Sequence, residues 1–427
     1  PPREVGSLFF SSLPPSFSHS LVSAMVGERI LGGIGRLKKK ILFFRASAES
    51  EQPHAPPPAA PPPPPPPLPQ THAPSTPTPT EDKSTRSCKG NASARSRKKS
   101  SRSKRKARRA AAQAPPTGQV ALFAVATYRR GALGLQTEFK GKERTNNPKD
   151  TRAFIANATT GKNRYKDVAC VDNARVVLRD HATDYVHANF VDTPAQPKRF
   201  ICAQGPLDKT MEDFWVMLVQ ERVASVVMLC NLIEKGAKKC APYFATSKNK
   251  KLDVGKFSIA FVSEKEFEFK AETTTNVKIT ALEVAVEGEV VHKLDHYHWV
   301  DWPDRGVPPP DLAVFELLDV VCKDPQPVVV HCSAGIGRTG TVVLLQWAKE
   351  AEAVGTLPDS LIEPLVKIRE QRSNAVQTYQ QYLFVHAVLL EFFRSTGKAP
   401  ANCRGASAKD HEGFMADYKK ILDKFGN

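Results

Sequence analysis

A chain of 427 residues has room for two or three domains, but its 35 prolines and its net charge of +17 are unevenly spread. Between Lys83 and Arg109 stand 13 Lys or Arg and no acid, so the rest of the chain carries only +4 and the overall charge says little about the folded part. Eight scattered cysteines without a C-x-x-C pair or a His cluster exclude a structural zinc site and suit a reducing compartment, and no apolar stretch reaches the roughly 18 residues of a membrane-spanning helix.

The first methionine is Met25, which leaves open whether residues 1–24 belong to the mature protein. From there MVGERILGGIGRLKKKILFFR is basic and partly amphipathic, suited to an anionic membrane surface or to an address, although its glycines weaken a helix. The proline run within 55–80 favours the extended polyproline conformation and reads as a linker or as a ligand for an SH3 or WW domain. The polybasic run within 83–109 reads as a solvated tail that docks an acidic partner or an import receptor. Acidic lipid and nucleic acid are the other readings, and no interleaved aromatics provide the stacking platform that single-stranded nucleic acid needs. Residues 1–119 are therefore expected to be a disordered N-terminal region.

From about 120 to 396 the composition is globular. Helices are expected over 132–140, from 214 to 221 after the DKTMED capping stretch, and over 315–321, 340–353 and 382–393. ASVVMLC at 224–230 and PVVVHC at 327–332 read as buried strands, and the alternation through 256–292 reads as paired antiparallel strands. The pattern predicts a single α/β domain with a central, highly twisted mixed sheet flanked by helices. Within a tail at 397–427, the segment 408–425 places Phe414, Tyr418, Ile421 and Phe425 on one face of a short amphipathic helix.

The stretch that carries chemistry is VVVHCSAGIGRTGT at 328–341. Folded as strand, loop and helix, Gly335 and Gly337 let backbone N–H groups turn inward to form an anion-binding nest. The following helix adds the positive end of its dipole. Cys332 at the base of that nest would ionise readily, and Arg338 offers a planar fork for two phosphate oxygens. Two blander readings compete. A lone Cys ending a strand is usually a buried small hydrophobe, and Gly335-x-Gly337-x-x-Gly340 matches a dinucleotide fingerprint. The second lacks an acid-terminated strand about 20 residues on and falls late in the domain.

The run from His331 to Gly340 resembles the phosphate-binding signature of the tyrosine-specific protein phosphatases. The likeness extends in order through KNRYKDV, DYVHANFV, QGPLDKTMEDFW, VVMLCNLIEKGAKKC, WPDRGVP and VQTYQQYLF. It is to the non-receptor type. It implies a cytoplasmic or nuclear enzyme that needs no metal or cofactor, acts on phosphotyrosine-containing proteins and passes through a cysteinyl-phosphate. In it Cys332 is the nucleophile, Arg338 binds phosphate, and Asp304 is general acid and then base. Gln377 and Gln381 place the hydrolytic water, and Thr339 stabilises the departing thiolate. Tyr165 walls a pocket too deep for phosphoserine, Asp167 holds the substrate backbone, and Ser333, Ala334, Gly335, Ile336 and Gly337 cradle the phosphate. Glu234 orients Arg338, Lys239 approaches the aspartate loop, His331 tunes the thiol and Trp302 anchors the loop hinge. The sequence departs from the pattern at Cys170-Val171-Asp172, Phe244, Arg305 and Asn374. The alternative reading is a catalytically weak phosphatase-like domain that captures phosphotyrosine.

Overall fold

The computed structural model describes residues 118–142, 148–399, 402–403 and 405–424. The proline run, the polybasic run, the Met25 segment and Phe425 lie outside them.

The described residues form thirteen strands and eight α-helices, numbered in chain order. The nine-stranded sheet runs β1-β2-β3-β11-β4-β10-β9-β8-β7. Its centre comprises β3 (Phe200–Ala203), β11 (Val328–His331), β4 (Ser225–Met228) and β10 (Glu289–Trp299), all mutually parallel. Helices cover both faces of such strands, which is why β3, β4 and β11 are continuous buried runs rather than alternating ones. Antiparallel strands complete both edges: β1 (Arg175–Val177) and β2 (Tyr185–Val191) on one side, β9 (Val277–Val286), β8 (Phe257–Glu266) and β7 (Lys251–Val254) on the other. The fold is the expected mixed α/β architecture, a twisted sheet flanked by helices.

Register sets the position of the site. His331 pairs with Ala203 and with Met228, so the three parallel strands end together and the chain leaves β11 at Cys332. The buried helix α5 (Gly337–Ala353) starts at the far side of that loop.

Several elements differ from expectation. The helix expected over 132–140 begins at Gln119: α1 (Gln119–Lys140) is two helical pieces joined at Gly131, whose φ of 60° breaks the regular path. Its first piece, QVALFAVATYRR, packs against α7 (Tyr379–Ser395) and α8 (Ala408–Asp423). Helix α6 (Ile362–Gln371) was not anticipated, and neither were β1, β2 and β3 as strands. Helix α8 opens on a capping box, with Ser407 Oγ accepting from the Asp410 N–H and Asp410 Oδ2 accepting from the Ser407 N–H. It buries Phe414 and Tyr418 in the core shared with α1 and α7.

Candidate active site

The Cys332 loop is shaped by carbonyls turned outward and amides turned inward. Gly335 has φ 69°, and a Cβ there would lie 2.0 Å from the Ala203 carbonyl oxygen, so only glycine fits. Arg372 clamps the loop from behind: its Nε donates to the Gly335 carbonyl at 2.9 Å and its Nη2 to the Ala334 carbonyl at 3.1 Å. Its Nη1 donates to Asn189 Oδ1 at 2.8 Å and lies 3.3 Å from His187 Nδ1. This arginine is fully buried. Sequence reasoning missed it, and the polar run IREQRSN around it carries no signal of burial.

With the Ala334 carbonyl held outward, the N–H of the same peptide plane, that of Gly335, points at Cys332 Sγ, 3.2 Å away. Burial pushes the Cys332 thiol up, but the Arg338 charge, the Thr339 hydroxyl and the N–H groups of Thr339 and Gly335 outweigh it and leave the thiol below its ordinary value. The Thr339 hydroxyl is buried and makes no other hydrogen bond among the described residues. It is therefore available to a sulfur that carries negative charge.

Arg338 is buried and fixed at both nitrogens. Nη1 and Nη2 meet Glu234 Oε1 and Oε2 at 2.6 and 2.8 Å, a bidentate pair, and Glu234 Oε1 also accepts from the Asn231 N–H at 3.0 Å. Nη1 further donates to the Trp302 carbonyl at 3.1 Å, and Nη2 reaches Asp304 Oδ1 at 3.2 Å. Lys239 Nζ donates to the other carboxylate oxygen of Asp304 at 2.7 Å. Burial pushes the Asp304 carboxyl up, but the Lys239 hydrogen bond and the Arg338, Lys239 and Arg305 charges hold it below the usual range. Trp302 lies in the core rather than in the pocket, its ring 4.8 Å from Trp299 and 5.8 Å from Phe384. That contact fixes one end of the aspartate loop.

Opposite stands Tyr165, whose hydroxyl is 2.9 Å from Ser333 Oγ; that oxygen also donates to the Lys239 carbonyl at 3.0 Å. The Arg164 guanidinium holds the Tyr165 loop against the carbonyls of Gly205 and Pro206 at 2.9 and 2.7 Å. Gln381 is fully buried, and its Oε1 accepts from the N–H groups of Gln377 and Thr378 at 2.9 and 3.2 Å. A Cβ on Gly337 would meet Gln377 Oε1 and Gln381 Nε2, both at 3.1 Å, so the missing side chain leaves room for the two amides beside the loop. Gln381 Nε2 has no hydrogen-bond partner among the described residues.

One pocket is lined by Tyr165, Asp167, Lys239, Asp304, Arg305, Cys332, Ser333, Ala334, Gly337, Arg338, Gln377 and Gln381. Glu234, Thr339, Gly335 and Ile336 stand behind this lining, and the Ile336 carbonyl accepts from the Val376 N–H at 2.9 Å. His331 does not reach the pocket. Its Nε2 lies 2.7 Å from the Tyr243 hydroxyl, its Nδ1 3.2 Å from the Cys332 carbonyl, and burial pushes it down to about 3, so it is neutral at physiological pH. Among the described residues no group of His, Cys, Asp and Glu is arranged to hold a metal.

Residues 159–391 match the family model described as protein-tyrosine phosphatase. The chain is 31% identical over 295 residues to tyrosine-protein phosphatase non-receptor type 9 of Rattus norvegicus, covering 64% of this chain and 48% of that protein. It is 37% identical over 249 residues to receptor-type tyrosine-protein phosphatase zeta of the same organism, covering 54% of this chain and 10% of that one. It thus spans about half or less of these curated relatives. The catalytic domain of human protein tyrosine phosphatase non-receptor type 18 superposes with a TM-score of 0.52 at 29% identity, covering 63% of this chain and 99% of that one. A structure of the same phosphatase with HER2 phospho-peptides gives the same TM-score, covering 62% and 95%. No helix among the described residues is long and apolar enough to cross a membrane.

Proposed function

Because the chain belongs to the protein-tyrosine phosphatase family, we propose that it hydrolyses phosphotyrosine in proteins through a cysteinyl-phosphate formed on Cys332. The observation that carries this reading is the sulfur itself. A buried thiol is held below its ordinary pKa in the pocket that also contains Arg338 and Asp304.

In the first step the Cys332 thiolate attacks phosphorus while the bond to the phenolic oxygen breaks, and Asp304 supplies the proton that the leaving oxygen takes up. Arg338 and the inward amides of the loop bear the charge on the equatorial oxygens. Asp304 shares the Arg338 guanidinium, 3.2 Å from its Nη2. A phosphate dianion arriving there competes for that guanidinium and adds its own negative charge, and both effects raise the proton affinity of Asp304 toward that of a working acid. In the second step a water placed by Gln377 and Gln381 attacks phosphorus and gives its proton to Asp304. The S–P bond breaks, phosphate leaves, and the thiolate returns to the Thr339 hydroxyl and the Gly335 N–H.

Tyr165 sets the depth: with its hydroxyl tied to Ser333, its ring forms a wall that a phosphotyrosine ring can span and a phosphoserine cannot. Asp167, exposed at the rim, would accept from the substrate backbone. The catalytic domain in this reading occupies 120–396, and its partners are phosphotyrosine-containing proteins.

The test is turnover of phosphotyrosine and phosphoserine peptides by the full chain, Cys332→Ser and Asp304→Ala. Expected are no turnover with Cys332→Ser, a loss of about 100-fold or more with Asp304→Ala, and binding of phosphotyrosine peptide by both. Equal rates on phosphoserine would overturn the pocket-depth argument, and turnover by Cys332→Ser would overturn the mechanism.

A further inference from the structure

The segment that carries Gln377 is built on unfavourable backbone. Asn374 and Val376 have φ of 61° and 58°, and for a β-branched residue such as Val376 that region is a true outlier. Such strain persists only where surrounding contacts over-determine it. Two side chains at the end of α1, outside the 159–391 span of the family match, stand behind those contacts. The Phe139 ring lies under the Arg369 guanidinium, 5.2 Å from its centre. Arg369 Nε and Nη2 in turn hold the carbonyls of Ala375 and Val376 at 3.0 and 3.2 Å. The neighbouring Glu138 secures the other end. Its Oε1 accepts from the Tyr382 hydroxyl at 2.6 Å and from Ser360 Oγ at 3.0 Å, and its Oε2 pairs with Arg130 Nε at 2.9 Å. Tyr382 directly follows Gln381 and is fully buried, and Ser360 Oγ accepts from the Ile362 N–H at the start of the helix that bears Arg369.

We propose that Glu138 is a positioning residue for the second chemical step: by holding Tyr382 and Ser360 it fixes Gln381 and the Gln377 segment where they place the hydrolytic water. The inference rests on the reading that these glutamines serve cysteinyl-phosphate hydrolysis. Glu138 touches neither the thiol loop nor the aspartate loop in any hydrogen bond or ion pair that fixes it. Loosening it therefore slows hydrolysis and leaves formation of the intermediate intact.

In a two-step covalent mechanism that selectivity has a signature. When hydrolysis limits turnover, slowing it lowers kcat and KM together and leaves kcat/KM, which reports the steps through formation, unchanged. The experiment compares Glu138→Ala, Tyr382→Phe and Gln381→Ala in the full chain, with steady-state and rapid-quench kinetics on a phosphotyrosine peptide. Glu138→Ala is expected to lower kcat by about fivefold or more with KM in step, kcat/KM within about twofold of wild type, and phosphoenzyme accumulating in the quench. Tyr382→Phe, which removes only the hydroxyl, is expected to give the same split at a smaller size, and it carries the test should Glu138→Ala fail to fold. A folded variant with wild-type kcat, or one in which kcat/KM falls by the same factor as kcat, overturns the proposal. If Gln381→Ala itself lacks the split, the role given to the glutamines falls. If Gln381→Ala shows it and the other two do not, only the role of Glu138 falls.

Discussion

Replacing Arg372 by methionine tests whether the loop geometry, rather than the identity of its residues, makes the thiol reactive. Arg372 does not line the pocket, yet it holds the carbonyls of Ala334 and Gly335 away from it. Methionine leaves those two acceptors and Asn189 Oδ1 without their donor, and each buried unsatisfied acceptor costs about 1–3 kcal/mol. Part of that is offset, because a fully buried guanidinium no longer has to be desolvated. A net loss of about 2–4 kcal/mol in stability is expected, a fall of roughly 4–16 °C in Tm for a domain of this size. The activity should fall further than the folded fraction. Once the Ala334 carbonyl can turn, the Gly335 N–H in the same peptide plane leaves the sulfur and the nest loses an inward donor, and one such donor is worth about 100-fold in rate. The assay is kcat/KM on a phosphotyrosine peptide at a temperature where circular dichroism shows the variant folded. A folded Arg372→Met with wild-type kcat/KM would refute the argument that this clamp shapes the loop.

The cysteines should separate by reactivity. At pH 7 iodoacetamide is expected to label Cys332 well before Cys202, which burial pushes up to about 12, or Cys170 and Cys322, which burial pushes up to about 11; peptide mapping by mass spectrometry checks this, and inorganic phosphate should protect Cys332 alone among the four. The pH profile has a predictable sign. In the proposed mechanism the working form needs Cys332 deprotonated and Asp304 protonated, and both groups are shifted down, so the optimum of kcat/KM should lie on the acid side of neutrality. Asp304→Asn, which has no proton to lose, should remove the alkaline limb from the residual activity, and an unchanged alkaline limb would assign that ionisation to another group.

What could be read from the sequence divides along a physical line. The thiol loop was legible because its chemistry is local: ten consecutive residues supply the sulfur, the amides and the guanidinium, and the glycine that the turn demands lies among them. The mixed sheet was legible where strands alternate or run wholly apolar, as in β8 to β11. β2 was not, since YVHANFV places His187 and Asn189 in the core, and a strand with buried polar residues resembles neither template. Those two residues are buried because they meet Arg372, which lies 185 and 183 residues away in sequence. The same holds for α1. The helix was expected only over 132–140, and its role depends on Tyr382, 244 residues beyond Glu138. The sulfur and the groups that cradle phosphate around it sit at fixed spacings on one loop, and so they leave a motif. Groups that hold the loop in place need only converge in space, by any route the fold allows. A positioning residue such as Arg372 or Glu138 therefore reads in sequence as ordinary surface charge until its buried partner is located, and the buried polar residues of a strand are where that search begins.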